Sequence, residues 1–216
     1  MRNINTYFDG TVAHFPLTSS GHDAIGNSHG VATSGARFGA QGAVFDGVDD
    51  YINLGTPLPP KLNLITSQLS IMCWVKHNVN GTFNYIVNDF DAGASNSTMG
   101  IYRNSSNKHM FWHGSGALAV LASTTMNVGQ WYHLAGVRSG TTGSWTLKLY
   151  IDGKLNASAT GASNPTSGGL LAIGRPGSYT GGLTMNGCIA DMHFLNRPLT
   201  LNEIQDHYVK TRGLYL

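Results

Sequence analysis

The stretch from residue 130 to 157, QWYHLAGVRSGTTGSWTLKLYIDGKLNA, constrains the fold more than any other part of the chain. Apolar side chains occupy every second position from 145 to 151, so they share one face of a strand. Asp152-Gly153 follows at once, and Asp-Gly between apolar runs is typical of a two-residue hairpin turn with positive φ at both positions. The preceding segment, 131–138, is apolar on both faces. This stretch therefore predicts a hairpin inside a two-sheet sandwich.

Short apolar runs separated by turn-forming residues continue along most of the chain. Glycine accounts for 28 of 216 residues and charged residues for 11%, a turn-rich and globular composition. In the run from 69 to 75 the odd-numbered residues share one face and the even-numbered residues share the other. About a dozen short strands at this spacing are typical of a sandwich or jelly roll. Beyond the hairpin, strands are predicted at 12–17, 43–54 (two strands, or one with a kink at Gly47), 69–75, 83–87, 99–103, 109–112, 117–121, 169–174 and 187–195.

One convincing helix is predicted, near the C-terminus. Thr200-Leu-Asn-Glu203 has the pattern of a capping box, in which the threonine hydroxyl and the glutamate carboxylate satisfy free backbone N–H groups. Leu201, Ile204 and Tyr208 then share one helical face. The sequence therefore predicts a short amphipathic helix that packs on the sandwich.

Charge and hydropathy exclude several classes of protein. A net charge of +2 without basic runs does not indicate nucleic-acid binding. No apolar run is long enough to span a membrane, and the first residues lack the apolar core of a signal peptide. Cys73 and Cys188 lack metal or redox spacing, so we expect free thiols rather than a disulfide.

We treat 1–216 as a single domain with a core over about 12–209. We expect the protein to be located on a virion surface or outside cells.

Six segments in chain order carry a family resemblance. They span residues 15 to 208, nearly the whole chain, and they resemble the laminin-G-like, concanavalin A-like jelly-roll superfamily. The resemblance implies an all-β fold of two antiparallel sheets in a jelly-roll sandwich, with one short C-terminal helix. It also implies a domain that binds or adheres without catalysis, although one fold hosts many functions. The segments are FDGVDDYINL, LSIMCWVK, GQWYHLAGVR, LKLYIDGKL, LLAIGRP and GCIADMHFLNRPLTLNEIQDHY.

The same resemblance implies a structural calcium ion. The segment GHDAIGNSHG is similar to the family's Asp-x-Ser-Gly-Asn-x-x-Gly loop, with Ile25 where serine is usual. Calcium takes oxygens from carboxylates, amides and backbone carbonyls. A second interpretation stays open, in which these acids and amides only form Asx turns. The implied ligand set is Asp23, Asn27, His29, Asp46 or Asp49, and Asp191.

Aromatic residues in the middle of the chain are candidates for stacking on sugar rings. They lie close in sequence to asparagine and aspartate side chains that could bind hydroxyl groups. The alternative is that these rings pack in the core and the acids only belong to polar loops. The candidate ligand-binding residues are Tyr85, Asp89, Phe90, Asp91, Tyr102 and Trp112.

Catalytic and transition-metal patterns are missing from the sequence. Glycosidases of this superfamily carry two or three carboxylates on one strand, whereas the single glutamate here lies in the helix cap. The adjacent pair Asp49-Asp50 faces opposite sides of a strand. The nine histidines show no helical or Cys/His ligand spacing, so we expect core or surface histidines rather than a zinc or nickel site.

The sequence thus predicts a non-catalytic surface-binding or structural domain. We favour a virion-surface component, such as a capsid decoration or tail-associated adhesion protein. The alternative is a secreted or cell-surface lectin-like carbohydrate-binding module, and a glycoside hydrolase is the least favoured. Expected partners are a glycan or a protein surface, capsid or tail proteins, and a second copy of the chain. We expect no cofactor other than calcium.

Overall fold

The computed structural model describes residues 8–26, 29–55, 68–90, 98–114, 118–163, 169–177 and 183–216. Within these ranges the regular structure is almost entirely β, with one α-helix at the C-terminal end. None of the helices described has the length or apolar character needed to cross a membrane. The elements are β1 (Thr11–Phe15), β2 (Val31–Thr33), β3 (Arg37–Gly39), β4 (Gly42–Asp46), β5 (Tyr51–Asn53), β6 (Leu69–His77), β7 (Asn84–Asn88), β8 (Met99–Arg103), β9 (His109–His113), β10 (Leu118–Leu121), β11 (Trp131–Thr141), β12 (Ser144–Ile151), β13 (Lys154–Gly161), β14 (Ala172–Ile173), β15 (Asn186–Leu195), α1 (Leu201–Thr211) and a 3-10 turn, Arg212–Leu214.

The strands form two antiparallel sheets. The first sheet has the order β13-β12-β11-β6-β15-β4-β3, and β1 also pairs with β15. The second has the order β10-β9-β8-β7-β14-β5-β2. Neighbouring strands are mostly distant in sequence, as crossovers between two packed sheets require. The all-β, two-sheet fold with one short C-terminal helix is therefore confirmed.

The hairpin predicted from residues 130–157 lies in the first sheet as β11, β12 and β13. Asp152 and Gly153 have φ angles of 51° and 74°, the positive values that a type I′ turn needs. The four alternating apolar side chains of β12 all join the core between the sheets. Tyr150, on the opposite face, joins a separate cluster under the helix. Both the turn and the facing of this hairpin are confirmed.

The central strands of the first sheet, β6 and β11, are buried on both faces. The odd-numbered residues of β6 from 69 to 75 lie in the core between the sheets. Met72 and Trp74, on the other face, contact the clusters that α1 covers, where Ile204 and Tyr208 contribute. The capping box is present as predicted, because Thr200 accepts from the Glu203 backbone while the Glu203 carboxylate accepts from the Thr200 backbone. The helix therefore supplies the outer layer that the apolar even-numbered positions require.

Short strands were the hardest to predict. The segment from 43 to 54 forms two strands that belong to different sheets, β4 in the first and β5 in the second, with Gly47 at φ 86° between them. The sequence pattern did not predict β2 and β3, because each has only three residues and is exposed or half-buried. They form because β5 and β4 offer free edges for pairing. Cys73 and Cys188 are both free, as expected, although Cys188 is only half-buried.

A pair of histidines joins the two sheets inside the core. His77 of β6 and His109 of β9 are fully buried, and their Nε2 atoms lie 2.9 Å apart. Burial, with the nearby Arg103 guanidinium, lowers the pKa of His109 to about 3. Burial also holds the pKa of His77 well below its usual range, and His109 and Arg103 add to that shift. Both rings are therefore neutral in the folded protein at physiological pH.

We expect Leu149→Ala to destabilise the protein by about 2–5 kcal/mol, because it removes a fully buried side chain and leaves a cavity. Lys148→Ala, at a half-buried position on the other face of β12, should cost much less. Urea denaturation of both variants and the wild type measures the difference. A larger loss for Lys148→Ala would mean that the facing of β12 is off by one residue.

The free energy of unfolding should fall as the pH drops below about 6.5, the ordinary histidine pKa. Below that pH the unfolded chain binds protons at His77 and His109, whereas the buried rings of the folded protein stay neutral because their pKa values are lowered. Stability from this pair is fully present above that pH and is lost toward pH 3, where His109 titrates in the folded protein. In His109→Gln the slope of stability against pH should be smaller, by at most about 1.4 kcal/mol per pH unit. Denaturant titrations between pH 8 and pH 4 give both slopes, and equal slopes would contradict the prediction.

Candidate functional site

A row of large side chains crosses the outer face of the second sheet. Tyr85 of β7 pairs with Tyr102 of β8, which pairs with Met110 of β9, which pairs with Leu121 of β10. The alternating neighbours of these residues, such as Ile101 and Phe111, lie in the core between the sheets. Since side chains alternate along a strand, the row faces away from the core.

The rings in this row are packed together and partly open to solvent. Tyr85 and Tyr102 stack with centroids 4.9 Å apart and planes 16° apart. Phe83 lies beside Tyr102 with centroids 6.0 Å apart, and it is 40% exposed. The Tyr102 hydroxyl donates to Met110 Sδ at 2.8 Å, and burial raises its pKa, so it stays protonated. We call Phe83, Tyr85, Tyr102, Met110 and Leu121 the tyrosine patch.

Trp112 lies in a neighbouring row of the same face, but it is buried. Asn88 pairs with Gly100, and Gly100 pairs with Trp112. A Cβ at Gly100 would lie 2.4 Å from Asn88 Nδ2 and 2.6 Å from Trp112 Nε1, so the two side chains close over a position that only glycine fits. Trp112 is 7% exposed. Its ring therefore borders the tyrosine patch and offers little surface of its own.

The Asp89 side chain binds the backbone at the start of β8 and is not part of the exposed surface. It is fully buried, and its carboxylate accepts from the Thr98 backbone at 3.0 Å, the Thr98 hydroxyl and the Met99 backbone at 3.1 Å. Phe90 is half-buried, and its backbone donates to Asn88 Oδ1. Asp91 lies outside the described residues. Of the six candidate ligand-binding residues, the structure brings Tyr85 and Tyr102 together and places Trp112 beside them.

The residues implied as calcium ligands fall in separate places. Asp23 Oδ1 accepts from the His14 and Ile25 backbones, both at 2.9 Å, which is the geometry of the Asx-turn alternative. His29 Nδ1 lies 3.3 Å from the Asp23 backbone nitrogen. Asn27 lies outside the described part of the chain.

Asp46 and Asp49 come together with a third acid, Asp50, and each offers an oxygen within 4.8 Å of the others. The expectation that Asp49 and Asp50 face opposite sides of a strand is therefore wrong, because both lie in the connection between β4 and β5. Asp50 is buried, and desolvation raises its pKa, with Asp46 and Asp49 adding to the rise. Its Oδ2 accepts from the Asp46 backbone at 2.9 Å. Three carboxylates with exposed members at Asp46 and Asp49 form the oxygen-rich group that calcium prefers.

Asp191 lies instead in a cluster of histidines that the sequence analysis missed. His14 Nε2 and His193 Nε2 contact Asp191 Oδ1 at 2.7 and 2.9 Å, and His207 Nε2 lies 3.2 Å from Oδ2. Burial opposes ionisation of Asp191, but the surrounding imidazoles hold its pKa well below the usual range. The local sequence feature that could have indicated this cluster is Asp191-x-His193, because alternate residues of a strand share a face.

Comparison with protein families identifies the class. The sequence profile of the concanavalin A-like lectin/glucanases superfamily, in its laminin-G-like branch, matches residues 45–205. That match spans most of the chain, so this protein belongs to that family. Comparison with curated protein sequences gives no significant match.

Solved structures share the fold at low sequence identity. Trypanosoma rangeli sialidase, solved with 2,3-difluoro-KDN, superposes with a TM-score of 0.76 at 13% identity, over 97% of this chain and 34% of that one. This chain therefore spans about a third of the sialidase. Domain 4 of AbnA, a GH43 extracellular arabinanase from Geobacillus stearothermophilus, was solved with arabinotriose. It gives a TM-score of 0.68 at 22% identity, over 91% of this chain and 97% of that one. The fold is thus shared with chains of glycoside hydrolases and with a domain solved with an oligosaccharide.

We expect calcium to raise the melting midpoint of metal-free protein, because Asp46, Asp49 and Asp50 supply clustered oxygens. At about a hundred times Kd, binding to the folded state alone adds about 2.7 kcal/mol. Asp49→Asn should remove the shift, whereas Asp206→Asn, on the exposed face of α1, should keep it. Thermal melts with and without calcium chloride make the measurement. No shift in the wild type, or an equal shift in Asp49→Asn, would favour turn-forming acids instead.

Proposed function

We propose that this protein is a non-catalytic carbohydrate-binding domain that holds a glycan on the tyrosine patch. The observation that carries the proposal is the stacked, half-exposed pair Tyr85 and Tyr102 on the outer face of the second sheet. In the described part of the first sheet, α1 and its apolar neighbours cover the outer face of the central strands.

The chemistry of the patch suits a sugar. A sugar ring has an apolar face of C–H groups and a rim of hydroxyls, and tyrosine offers an apolar ring face with a polar hydroxyl at its edge. Phe83 and Leu121, exposed at 40% and 42%, extend the apolar surface on both sides of the pair. A patch of this kind would hold two or more sugar units of an extended chain, with the rings as platforms.

The structural comparison suggests the first ligands to test. Domain 4 of AbnA covers nearly the same length of chain and was solved with arabinotriose. A fold of this size is thereby compatible with an oligosaccharide ligand, and arabino-oligosaccharides are the natural starting point. The identity between the two chains is 22%, so arabinose as the sugar is part of our proposal and does not follow from the shared fold.

The acids near the patch do not support hydrolysis. Cleavage of a glycosidic bond needs two carboxyl groups across the bond, about 5–10 Å apart. No acid belongs to the tyrosine patch, and Asp89 is buried in hydrogen bonds to the backbone. Glu203 is bound to Arg197 at 2.5 Å and to the Thr200 backbone at 2.8 Å, and its pKa falls to about 2, first because of Arg197. The hydrogen bonds that already occupy Asp89 and Glu203 support binding without cleavage.

A virion-surface adhesion protein is the narrower version of the same proposal. In that version the patch contacts a glycan receptor, while another surface attaches to capsid or tail proteins or to a second copy of the chain. The experiment that separates the two versions is purification with particles, since a free carbohydrate-binding module would not sediment with them.

We expect Tyr102→Ala and Tyr85→Ala each to weaken binding of the protein to its best glycan about tenfold, since loss of one aromatic platform removes about 1.4 kcal/mol. Tyr102→Phe keeps the ring and should bind nearly as the wild type does. Leu201→Ala serves as the control, because Leu201 is 43% exposed and, contrary to the helical pattern, does not lie on the buried face of α1. A glycan array that includes arabino-oligosaccharides, followed by calorimetry, gives the affinities.

Two results would count against the proposal. Unchanged affinity in both tyrosine-to-alanine variants would place the ligand away from the patch. Release of new reducing ends from a polysaccharide, lost in a variant of one of the acids, would show catalysis.

A further inference from the structure

Three elements bring histidines to one carboxylate beneath the helix. His14 comes from β1, His193 from β15 and His207 from α1, and Asp191 comes from the middle of β15. His14 and His193 are direct cross-strand partners. All three rings are at least nine-tenths buried, and the Asp191 side chain is 13% exposed. His14, His193 and Asp191 thus each offer a ligand atom within 4.8 Å of the others, and His207 approaches the second carboxylate oxygen from α1.

We propose that His14, His193, His207 and Asp191 form a structural site for a transition-metal ion of the zinc class. Imidazole nitrogens suit zinc, copper and nickel, whereas calcium and magnesium take oxygen ligands. Four protein ligands without an open position are the pattern of a structural site rather than a catalytic one.

The distances fit this assignment. Two ligands of a tetrahedral zinc, each at about 2.1 Å from the metal, lie about 3.4 Å apart. Here the nitrogen-to-oxygen distances are 2.7, 2.9 and 3.2 Å. One ligand atom each from His14, Asp191 and His193 lie within 4.8 Å of one another. Small shifts, with loss of the Nε2 protons, would bring His14, His193 and Asp191 to coordination. The stacked His14 and His193 rings, with planes 13° apart, would have to turn out of parallel, and His207, which lies outside the 4.8 Å group, would have to move further.

The surroundings of His207 support the same assignment. Its Nε2 is buried and lies 3.2 Å from Asp191 Oδ2, which is an ion-pair distance. Its Nδ1 lies 3.0 Å from Nε2 of the buried His133. Metal-bound histidines usually use their second nitrogen in such a hydrogen bond, which fixes the ring orientation. His207 therefore has Nδ1 oriented by His133 and Nε2 directed at the Asp191 carboxylate.

The backbone at Asp191 gives an independent reason. Asp191 has a φ of 52°, in the left-handed region that non-glycine residues rarely adopt, and it lies in a bulge between Ala190 and His193. Such strain occurs at sites that need a particular side-chain position. The bulge places the Asp191 carboxylate beside His193 while Met192 stays in the core. A bound metal would tie α1 to β1 and β15 at this point.

Untagged protein, stripped of metal with a chelator, should take up about one zinc ion per chain and melt at a higher temperature. Millimolar calcium should not substitute. His193→Gln and His207→Gln should lose this uptake. The matched control is His22→Gln with His29→Gln, because those exposed rings, 4.0 Å apart, are the surface pair where zinc could bind adventitiously. Titration against a competing chromophoric chelator measures the stoichiometry.

The wild-type protein gives a second measurement that does not depend on folding of the variants. X-ray absorption at the zinc edge should show four nitrogen and oxygen neighbours without sulfur. No uptake by the stripped wild type, uptake lost only in the surface double variant, or a sulfur-containing shell would each overturn the proposal.

Discussion

Burial of the central strands of the first sheet on both faces is the condition on which the rest of the molecule depends. β6 and β11 pair at the middle of this sheet, over residues 69–76 of β6 and 131–138 of β11. Ile71, Leu134 and their neighbours face the second sheet, while Met72, Val137 and others face α1. A strand covered on both sides must be apolar at nearly every position, which explains why these segments show little polar alternation. The helix is therefore a structural layer, fixed by its capping box and by Ile204 and Tyr208.

The same arrangement decides which surface is free for a ligand. Since α1 covers the first sheet, the outer face of the second sheet carries the half-exposed tyrosines, held in place by cross-strand pairing rather than by a loop. Groups on strands keep their geometry better than groups on loops, so the patch is a preorganised platform. The nearby acid Asp89 contributes indirectly, by holding the start of β8 through the Thr98 and Met99 backbones.

Two clusters of buried polar groups lie at connections between layers. The His77 and His109 pair joins the two sheets, and the Asp191 cluster joins the first sheet to α1. Buried polar groups are costly unless they are paired, so each of these clusters fixes how its two layers fit together. The two clusters differ in charge, because only the second contains a carboxylate to which a metal ion could bind.

The sequence alone determined the hairpin at Asp152-Gly153, the facing of β6 and β12, and the capped helix, because alternation, turn residues and caps are local signals. It also pointed to Tyr85 and Tyr102, although it could not tell that Asp89 would be buried in hydrogen bonds to Thr98 and Met99. Only the tertiary structure decided that β4 and β5 enter different sheets and that His14 meets Asp191 across 177 positions of sequence. Those meetings depend on the register of long-range strand pairing and on a bulge at Asp191, and no local pattern encodes either of them.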